Sequence, residues 1–236
     1  MTAAMANLGA RSGPLQPPIK TVIIEDEGLF RTLLAQALSV YPDIHVVATY
    51  ADGPSALDEI PALEPDVAVV DIQLPGGING IQLGLRLRQE LPHLGIVLLS
   101  NYREPGFLSS LSPSEAAGWS YLLKRSVGDI STVYRAIKGS VRGEVVIDPH
   151  LTQDERVWAS GVLGGLSARE FEILRLIAQG YSNTAIAEKL VLSLRTVENR
   201  IRHLYQRMGI DTTSPALQPR VLAVLRYLEA LEMFHS

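Results

Sequence analysis

A short apolar run that ends in an aspartate constrains the fold of this chain more than any other stretch. The run is Val-Ala-Val-Val-Asp at residues 67–71, and Pro75 and Gly76 follow it closely. A continuous apolar run of this length predicts a strand buried on both faces, as in the middle of a parallel sheet. Open α/β sheets place their chemistry at the carboxyl ends of such strands. Asp71 is therefore either a functional carboxylate or simply the cap of the following turn.

Strands and helices alternate around this run. The predicted strands are residues 20–25, 44–49, 66–71, 94–100 and 121–123, and the predicted helices are residues 29–38, 52–63, 81–91 and 130–138. This alternation predicts an α/β doubly wound sheet of five parallel strands. A further helix between Ser100 and Lys124 is expected to be short or broken, because the interval contains Pro105 and Pro113.

Composition narrows the class of protein. With 236 residues, 47% of them hydrophobic, the chain is long enough for two modest globular domains. It contains no cysteine, which excludes disulfides, thiolate metal sites and cysteine nucleophiles. No apolar run approaches the length of a membrane span, and we expect a cytoplasmic protein without membrane contact. Residues 1–18, rich in Ala, Gly and Pro, are expected to form a flexible leader.

Polar side chains stand at the ends of four of the predicted strands. Glu25 and Asp26 follow the first strand, Asp71 ends the third, Ser100 the fourth and Lys124 the fifth. In a parallel sheet these ends share one edge, where three carboxylates repel one another and need a cation. Oxygen ligands suit Mg²⁺, while the lysine and the hydroxyl suit an arriving phosphoryl group. The pattern predicts a site that receives phosphate on Asp71.

This constellation resembles the receiver domain of two-component response regulators over roughly residues 19–140, and the resemblance implies a flavodoxin-like fold. The resemblance implies that Asp71 is phosphorylated by a sensor histidine kinase, and that Ser100 and Lys124 bind the phosphoryl group. It also implies Mg²⁺ bound by Glu25, Asp26, Asp71 and the backbone carbonyl of Gln73, with Tyr121 as the switch aromatic. The loop after Asp71, Pro-Gly-Gly-Ile-Asn-Gly, is one residue longer than the family's usual loop. If the phosphate-binding site is distorted, we expect the distortion at this loop.

The last 70 residues are helical and mildly basic. From Gly165 onward the chain carries nine Arg or Lys against seven acids, whereas the preceding part has 12 against 18. This asymmetry favours contact between the second half and a polyanion. Ser167 and Glu170 have the spacing of a capping box, and a third helix near residues 193–208 carries an apolar stripe. Three short helices of this kind fit a small all-α helix-turn-helix domain.

Three segments of this half resemble the LuxR-type helix-turn-helix signature. They are Leu-Ser-Ala-Arg-Glu at 166–170, Gly-Tyr-Ser-Asn-Thr-Ala-Ile-Ala at 180–187 and Arg-Thr-Val-Glu-Asn at 195–199. The combination with a receiver is similar to the NarL/FixJ subfamily. The resemblance implies contacts to double-stranded DNA from the third helix. The residues expected to make them are Arg195, Thr196, Glu198, Asn199, Arg200 and Arg202.

The sequence thus predicts a non-enzymatic transcription regulator, switched by phosphorylation and homodimeric at least when active. The expected parts are a leader (1–18), a receiver (19–140), a linker (141–165) with a short helix near 152–159, and a LuxR-type domain (166–236). Two alternatives stay open: a constitutive DNA-binding regulator whose receiver only supports dimerisation, and an enzyme with a DNA-binding appendage. The last helix, near residues 220–233, serves either dimerisation or an ordinary core.

Overall fold

A computed structural model describes residues 17–103, 105–153, 161–213 and 218–233. Residues 1–16 of the expected leader and 154–159 of the expected linker helix lie outside the described residues. Within the part that the structure describes, no helix is long and apolar enough to cross a membrane.

The first half is built on one parallel sheet with the strand order β2-β1-β3-β4-β5-β6. The strands are β1 (Ile19–Ile24), β2 (Ile44–Tyr50), β3 (Val67–Asp71), β4 (Gly95–Ser100), β5 (Trp119–Leu123) and β6 (Val146–Ile147). The predicted doubly wound parallel sheet is confirmed, with one strand more than the five expected. β6 contains two residues and pairs with Ser120 and Tyr121 of β5. A strand this short is recognised by its pairing with β5 and not by its own sequence pattern.

Helices cover both faces of this sheet. They are α1 (Gly28–Leu38), α2 (Gly53–Leu63), α3 (Gly80–Glu90), α4 (Gly106–Ser109), α5 (Pro113–Ala116) and α6 (Ile130–Val141). Successive strand residues point to opposite faces, so Val69 and Val70 of β3 enter two different apolar clusters. Between β4 and β5 the structure has two single helical turns, α4 and α5, as the two prolines in this interval predict.

The described residues of the second half form four α-helices after a 3₁₀ turn (Gly161–Gly165): α7 (Ala168–Ala178), α8 (Asn183–Leu190), α9 (Leu194–Arg207) and α10 (Pro219–Glu232). The predicted capping box begins α7, since Ser167 accepts from the Glu170 backbone while the Glu170 side chain accepts from Ser167. Val197, Ile201 and Leu204 of α9 are buried, which confirms the apolar stripe.

The two halves share an apolar core through α10. This helix packs against α7 of its own half and against α4 and α5 of the first half. At its end Ser109 Oγ donates a hydrogen bond of 2.5 Å to Glu232 Oε1. Arg135 of α6 donates to the Gln179 carbonyl at 3.3 Å. Its guanidinium also lies over the Tyr181 ring, 4.5 Å from the centroid. The last helix therefore has a core role in this structure.

Candidate functional site

Three carboxylates meet at the carboxyl edge of the sheet. Glu25 and Asp26 directly follow β1, and Asp71 ends β3, which is the neighbour of β1 in the sheet. One ligand atom from each lies within 4.8 Å of the others. Glu25 and Asp71 are buried, whereas Asp26 is exposed. The strand order thus gathers the acids that the sequence placed in separate segments.

Lys124 lies among these acids. It follows β5 directly, and its Nζ lies 2.9 Å from both Glu25 Oε1 and Asp71 Oδ2. The Glu27 carboxylate is farther away, at 3.7 Å from the same nitrogen. Because β4 separates β3 from β5 in the sheet, the lysine side chain spans one strand to reach Asp71. A cation is therefore already present beside the candidate phosphoacceptor.

Burial controls the protonation of this cluster. Desolvation by burial raises the pKa of Glu25 and of Asp71, although hydrogen bonds from Lys124 act in the opposite direction. Burial alone would lower the pKa of Lys124, but its hydrogen bonds to Glu25 and Asp71 outweigh this and raise the pKa. The lysine is thus held in its charged form, while the charge of the two acids is only partly offset.

The donor set fits a divalent cation. Glu25 Oε2 is buried and has no hydrogen-bond partner among the described residues. An unpartnered buried carboxylate oxygen is costly unless a cation binds it. With Asp26 and Asp71 it offers the hard oxygen ligands that Mg²⁺ prefers. Gln73 lies two residues beyond Asp71, and its backbone N–H donates to Asp71 Oδ1 at 3.1 Å.

Ser100 and Tyr121 lie on the two strands beyond β3. Asp71 pairs with Leu99, so Ser100 stands one position beyond this pair at the end of β4. Ser100 Oγ accepts from the Tyr102 backbone N–H at 3.0 Å, and the Tyr121 hydroxyl donates to the Tyr102 carbonyl at 2.9 Å. Both predicted side chains are buried. The backbone of Tyr102 thus connects them.

Two residues that the sequence did not single out also shape the site. Tyr102 bonds Ser100 and Tyr121 through its backbone, and backbone bonds leave no mark on residue type. Arg31 on α1 donates to the carbonyl groups of Glu25 and Asp26, and thereby fixes the acid pair against the helix. A basic residue in the first turns of a helix is common, so no local signal set Arg31 apart.

The long loop after Asp71 closes without displacing the strand end. Gly76 and Gly77 take positive φ values of 94° and 82°, a region that glycine enters without steric cost. The loop ends where Gly80 N donates to the Ile72 carbonyl at 2.9 Å. A Cβ on Gly80 would lie 2.1 Å from the Asp71 carbonyl oxygen, so the chain approaches the site closely here. The two consecutive glycines thus let the chain turn between Asp71 and Gly80.

The exposed face of α9 carries four of the six residues expected to contact DNA. Arg195, Glu198, Asn199 and Arg202 are exposed, and Arg202 donates to Asn199 Oδ1 at 3.2 Å. The other two, Thr196 and Arg200, are half-buried. Thr196 N donates to Ser193 Oγ at 3.1 Å, so this residue belongs to the helix cap. The receiver half leaves the face of the four exposed residues accessible.

Comparisons with known proteins agree with this layout. Residues 21–130 match the response regulator receiver domain, and residues 165–218 match the bacterial regulatory proteins of the luxR family. The chain is 32% identical to the oxygen regulatory protein NreC of Staphylococcus carnosus, over 82% of this chain and 93% of NreC. NreC of Staphylococcus epidermidis is also 32% identical, over the same shares.

Solved structures of response regulators are also similar to this chain. RcsB of Salmonella typhimurium has a TM-score of 0.45 at 22% identity, covering 91% of this chain and 99% of that one. The receiver domain of NarL from Mycobacterium tuberculosis has a TM-score of 0.45 at 34% identity, covering 52% of this chain and 99% of that one. On the matches to its sequence, the chain belongs to the NarL/FixJ-type response regulators, non-enzymatic regulators of transcription with a receiver domain and a LuxR-type DNA-binding domain.

Proposed function

We propose that Asp71 accepts a phosphoryl group from the phosphohistidine of a sensor histidine kinase. A carboxylate oxygen of Asp71 attacks the phosphorus, the phosphorus–nitrogen bond breaks, and the imidazole leaves with the electron pair and is protonated. The product is an acyl phosphate on Asp71. The contact between Lys124 Nζ and Asp71 Oδ2, 2.9 Å, carries this proposal, because it places a cation where the new negative charge develops.

Mg²⁺ is the proposed cofactor of this transfer. Glu25, Asp26 and Asp71 would hold it, together with the backbone carbonyl of Gln73. When bound, the ion offsets the negative charge of the incoming phosphoryl group. The unpartnered Oε2 of Glu25 supports this assignment. Lys124 remains available to bind a phosphoryl oxygen, because its ammonium group has three hydrogens to donate.

Ser100 and Tyr121 are the proposed switch. The Ser100 hydroxyl accepts from the Tyr102 N–H and is free to turn its hydrogen toward a phosphoryl oxygen. A shift of Ser100 pulls on Tyr102, whose carbonyl holds the Tyr121 hydroxyl. The phosphoryl charge therefore changes the loop between β4 and α4, which stands beside α10.

The proposed output is control of dimerisation and of sequence-specific DNA binding. Because α10 is buried against α4 and α5, a change there releases it to pair with α10 of a second copy. A homodimer then presents two α9 helices to a two-fold site, with contacts from Arg195, Thr196, Glu198, Asn199, Arg200 and Arg202. The cytoplasm, where bacterial DNA lies, is the proposed location. The proposed domain organisation is a leader (1–18), a receiver domain (19–140), a linker (141–165) and a LuxR-type DNA-binding domain (166–236).

Phosphorylation of the full-length protein by acetyl phosphate in Mg²⁺ tests the proposal. We expect the wild type to gain one phosphoryl group that hydroxylamine removes, as an acyl phosphate does. Asp71→Asn should gain none, whereas Asp58→Asn, a change at an exposed acid of α2, should behave as the wild type. Normal labelling of Asp71→Asn would show that another residue is the acceptor.

A second candidate is a constitutive DNA-binding regulator whose receiver only supports assembly. The two single turns α4 and α5 favour it, because both already pack against α10 of the DNA-binding half. DNA affinity measured with and without the phosphodonor separates the two candidates. Equal affinity in a fully phosphorylated sample would establish the constitutive regulator.

A further inference from the structure

The segment 148–152 begins at the edge of the sheet beside the candidate site. β6 ends at Ile147, and Asp148, which is fully buried, follows it. Asp148 N donates to the Tyr121 carbonyl at 2.8 Å, and Asp148 Oδ2 accepts from Leu123 N at 2.8 Å. Leu123 directly precedes Lys124 in the chain. The beginning of the segment is therefore fixed to the strand end that carries the phosphate-binding lysine.

His150 contacts two segments next to the candidate site, the 3₁₀ turn Lys124–Gly128 and the loop that follows Ser100. Its Nδ1 lies 2.9 Å from Ser126 Oγ and 3.1 Å from Asp148 Oδ1. Nδ1 donates to one of these oxygens when it carries the ring hydrogen and otherwise accepts from the Ser126 hydroxyl, so both ring tautomers form a hydrogen bond here. The His150 carbonyl accepts from an Arg103 guanidinium nitrogen at 2.8 Å. Ser126 and Arg103 lie two and three residues after Lys124 and Ser100, respectively.

Thr152, two residues later, contacts the DNA-binding half. Its carbonyl accepts from the hydroxyl of Tyr227, a buried residue of α10, at 3.0 Å. Its Oγ1 accepts from Gln179 Nε2 at 2.7 Å, at the end of α7. One short segment thus holds hydrogen bonds to both loops of the candidate site at one end and to two helices of the second half at the other.

We propose that segment 148–152 is the joint that transmits the phosphorylation state of Asp71 to α7 and α10, with His150 as its positioning residue. The inference rests on the proposed function. When Lys124 and Ser100 move toward a phosphoryl group, Ser126 and Arg103 move with them, because Ser126 lies on the same 3₁₀ turn as Lys124 and Arg103 is only three residues beyond Ser100. Their hydrogen bonds to His150 then differ between the unphosphorylated and the phosphorylated protein. A difference of this kind couples the phosphorylation site to the DNA-binding half. Thr152 passes the change to Tyr227 and Gln179.

The joint is tested in the full-length protein with Mg²⁺ and beryllofluoride, which mimics a phosphoryl group. His150→Ala removes the ring contacts and leaves the backbone bonds. His150→Asn returns a side-chain N–H close to the position of Nδ1. His45→Ala is the matched control, because His45 is an exposed histidine on β2, across the sheet from β6. Two readouts apply to each protein: hydrogen exchange of the α10 amides and affinity for a DNA duplex selected by the wild type.

In the wild type and in His45→Ala, beryllofluoride should raise DNA affinity by a factor of about 5–150, the usual range of coupling. In His150→Ala the gain should fall to about twofold or less, with α10 exchange unchanged by beryllofluoride. Acetyl phosphate should still label Asp71 at the wild-type rate, and His150→Asn should recover most of the gain. A merely structural role would change stability and would leave the ratio of the two affinities as it was.

The outcomes separate the joint from the proposed function. If wild-type DNA affinity and α10 exchange do not respond to beryllofluoride, the proposed function fails and the joint fails with it. If the wild type responds and His150→Ala responds equally, the joint alone is overturned. Coupling then runs through the direct contact of α4 and α5 with α10. Thermal melts of all four proteins establish that each is folded at the assay temperature.

Discussion

Lys124 Nζ lies 2.9 Å from Asp71 Oδ2, although 53 residues separate the two in the chain. The lysine is mostly buried and the aspartate almost fully so. The ammonium group of Lys124 lies 2.9 Å from both Glu25 Oε1 and Asp71 Oδ2, so this one cation holds the two buried carboxylates together. The contribution of this ion pair to the free energy of unfolding can be measured separately from phosphorylation.

Lys124→Met should destabilise the metal-free protein by about 3 kcal/mol, since it leaves two buried carboxylates without their cation. Mg²⁺ should recover a large part of this loss. Urea denaturation with and without Mg²⁺ measures both effects. Lys138→Met is the control, because its partner Asp43 is more than one-third exposed and such pairs contribute about 0–1 kcal/mol. An equal loss with and without Mg²⁺ would contradict a metal site at these acids.

Gly80→Ala should destabilise the protein by about 3 kcal/mol or less and abolish labelling by acetyl phosphate. Its Cβ would lie 2.1 Å from the carbonyl oxygen of Asp71, and a strand backbone moves only at a cost in hydrogen bonds. Gly128→Ala is the matched control, because no atom of the residues that the structure describes lies within 4 Å of a Cβ added there. Thermal melts and the labelling assay check both variants. Full labelling of Gly80→Ala would show that the strand end tolerates displacement.

Asp43 predicts an acid-dependent part of the stability. Burial alone would raise its pKa, but hydrogen bonds from Lys138 and Tyr134 outweigh this and lower the pKa below 3.8. A carboxyl group whose pKa is lower in the folded than in the unfolded state stabilises the protein at pH values above the unfolded-state pKa. This stabilisation is lost as the pH falls through the folded-state pKa. Asp43→Asn should therefore be less stable than the wild type at pH 7, and the difference should vanish only when the pH is below the folded-state pKa, which itself lies below 3.8.

Urea denaturation of both proteins from pH 7 downward gives this difference directly. The expected curve is flat near neutrality and falls only when the pH approaches and passes the unfolded-state pKa of Asp43, 3.8. A difference that grows on acidification would mean that the contacts of Asp43 with Lys138 and Tyr134 do not favour its charged form.

Asn199→Ala should weaken binding to a selected duplex by about 1–3 kcal/mol and relax its sequence preference, if the amide reads a base edge. Binding to unrelated duplexes should stay the same. Gln206→Ala is the control, because Gln206 is exposed near the other end of α9. Titrations at fixed salt measure both duplexes. A uniform loss on all duplexes would assign Asn199 to the phosphate backbone instead.

Local sequence patterns were sufficient to predict the strands and helices and most of the residues at the candidate site. Strands of apolar residues, helix caps such as Ser167 and the polar residues at strand ends are short-range signals, and the structure has them where they were predicted. The break between β4 and β5 also follows from local chemistry, since Pro105 and Pro113 interrupt any long helix there. Resemblance to a family then gave Asp71, Ser100 and Lys124 their expected roles.

Other features depend on partners far away in the chain. β6 exists only because β5 offers it an unpaired edge, and a two-residue strand has no period of its own. Tyr102 joins the site through backbone atoms, which every residue possesses.

The sequence by itself thus determined which residues end the strands and which face of α9 is apolar, because both follow from neighbours a few positions away. Only the tertiary structure decided that Lys124 reaches Asp71 across β4, that α10 is buried against α4 and α5, and that His150 lies between both loops of the site. These contacts arise from strand order and domain packing, which depend on distant residues meeting in space.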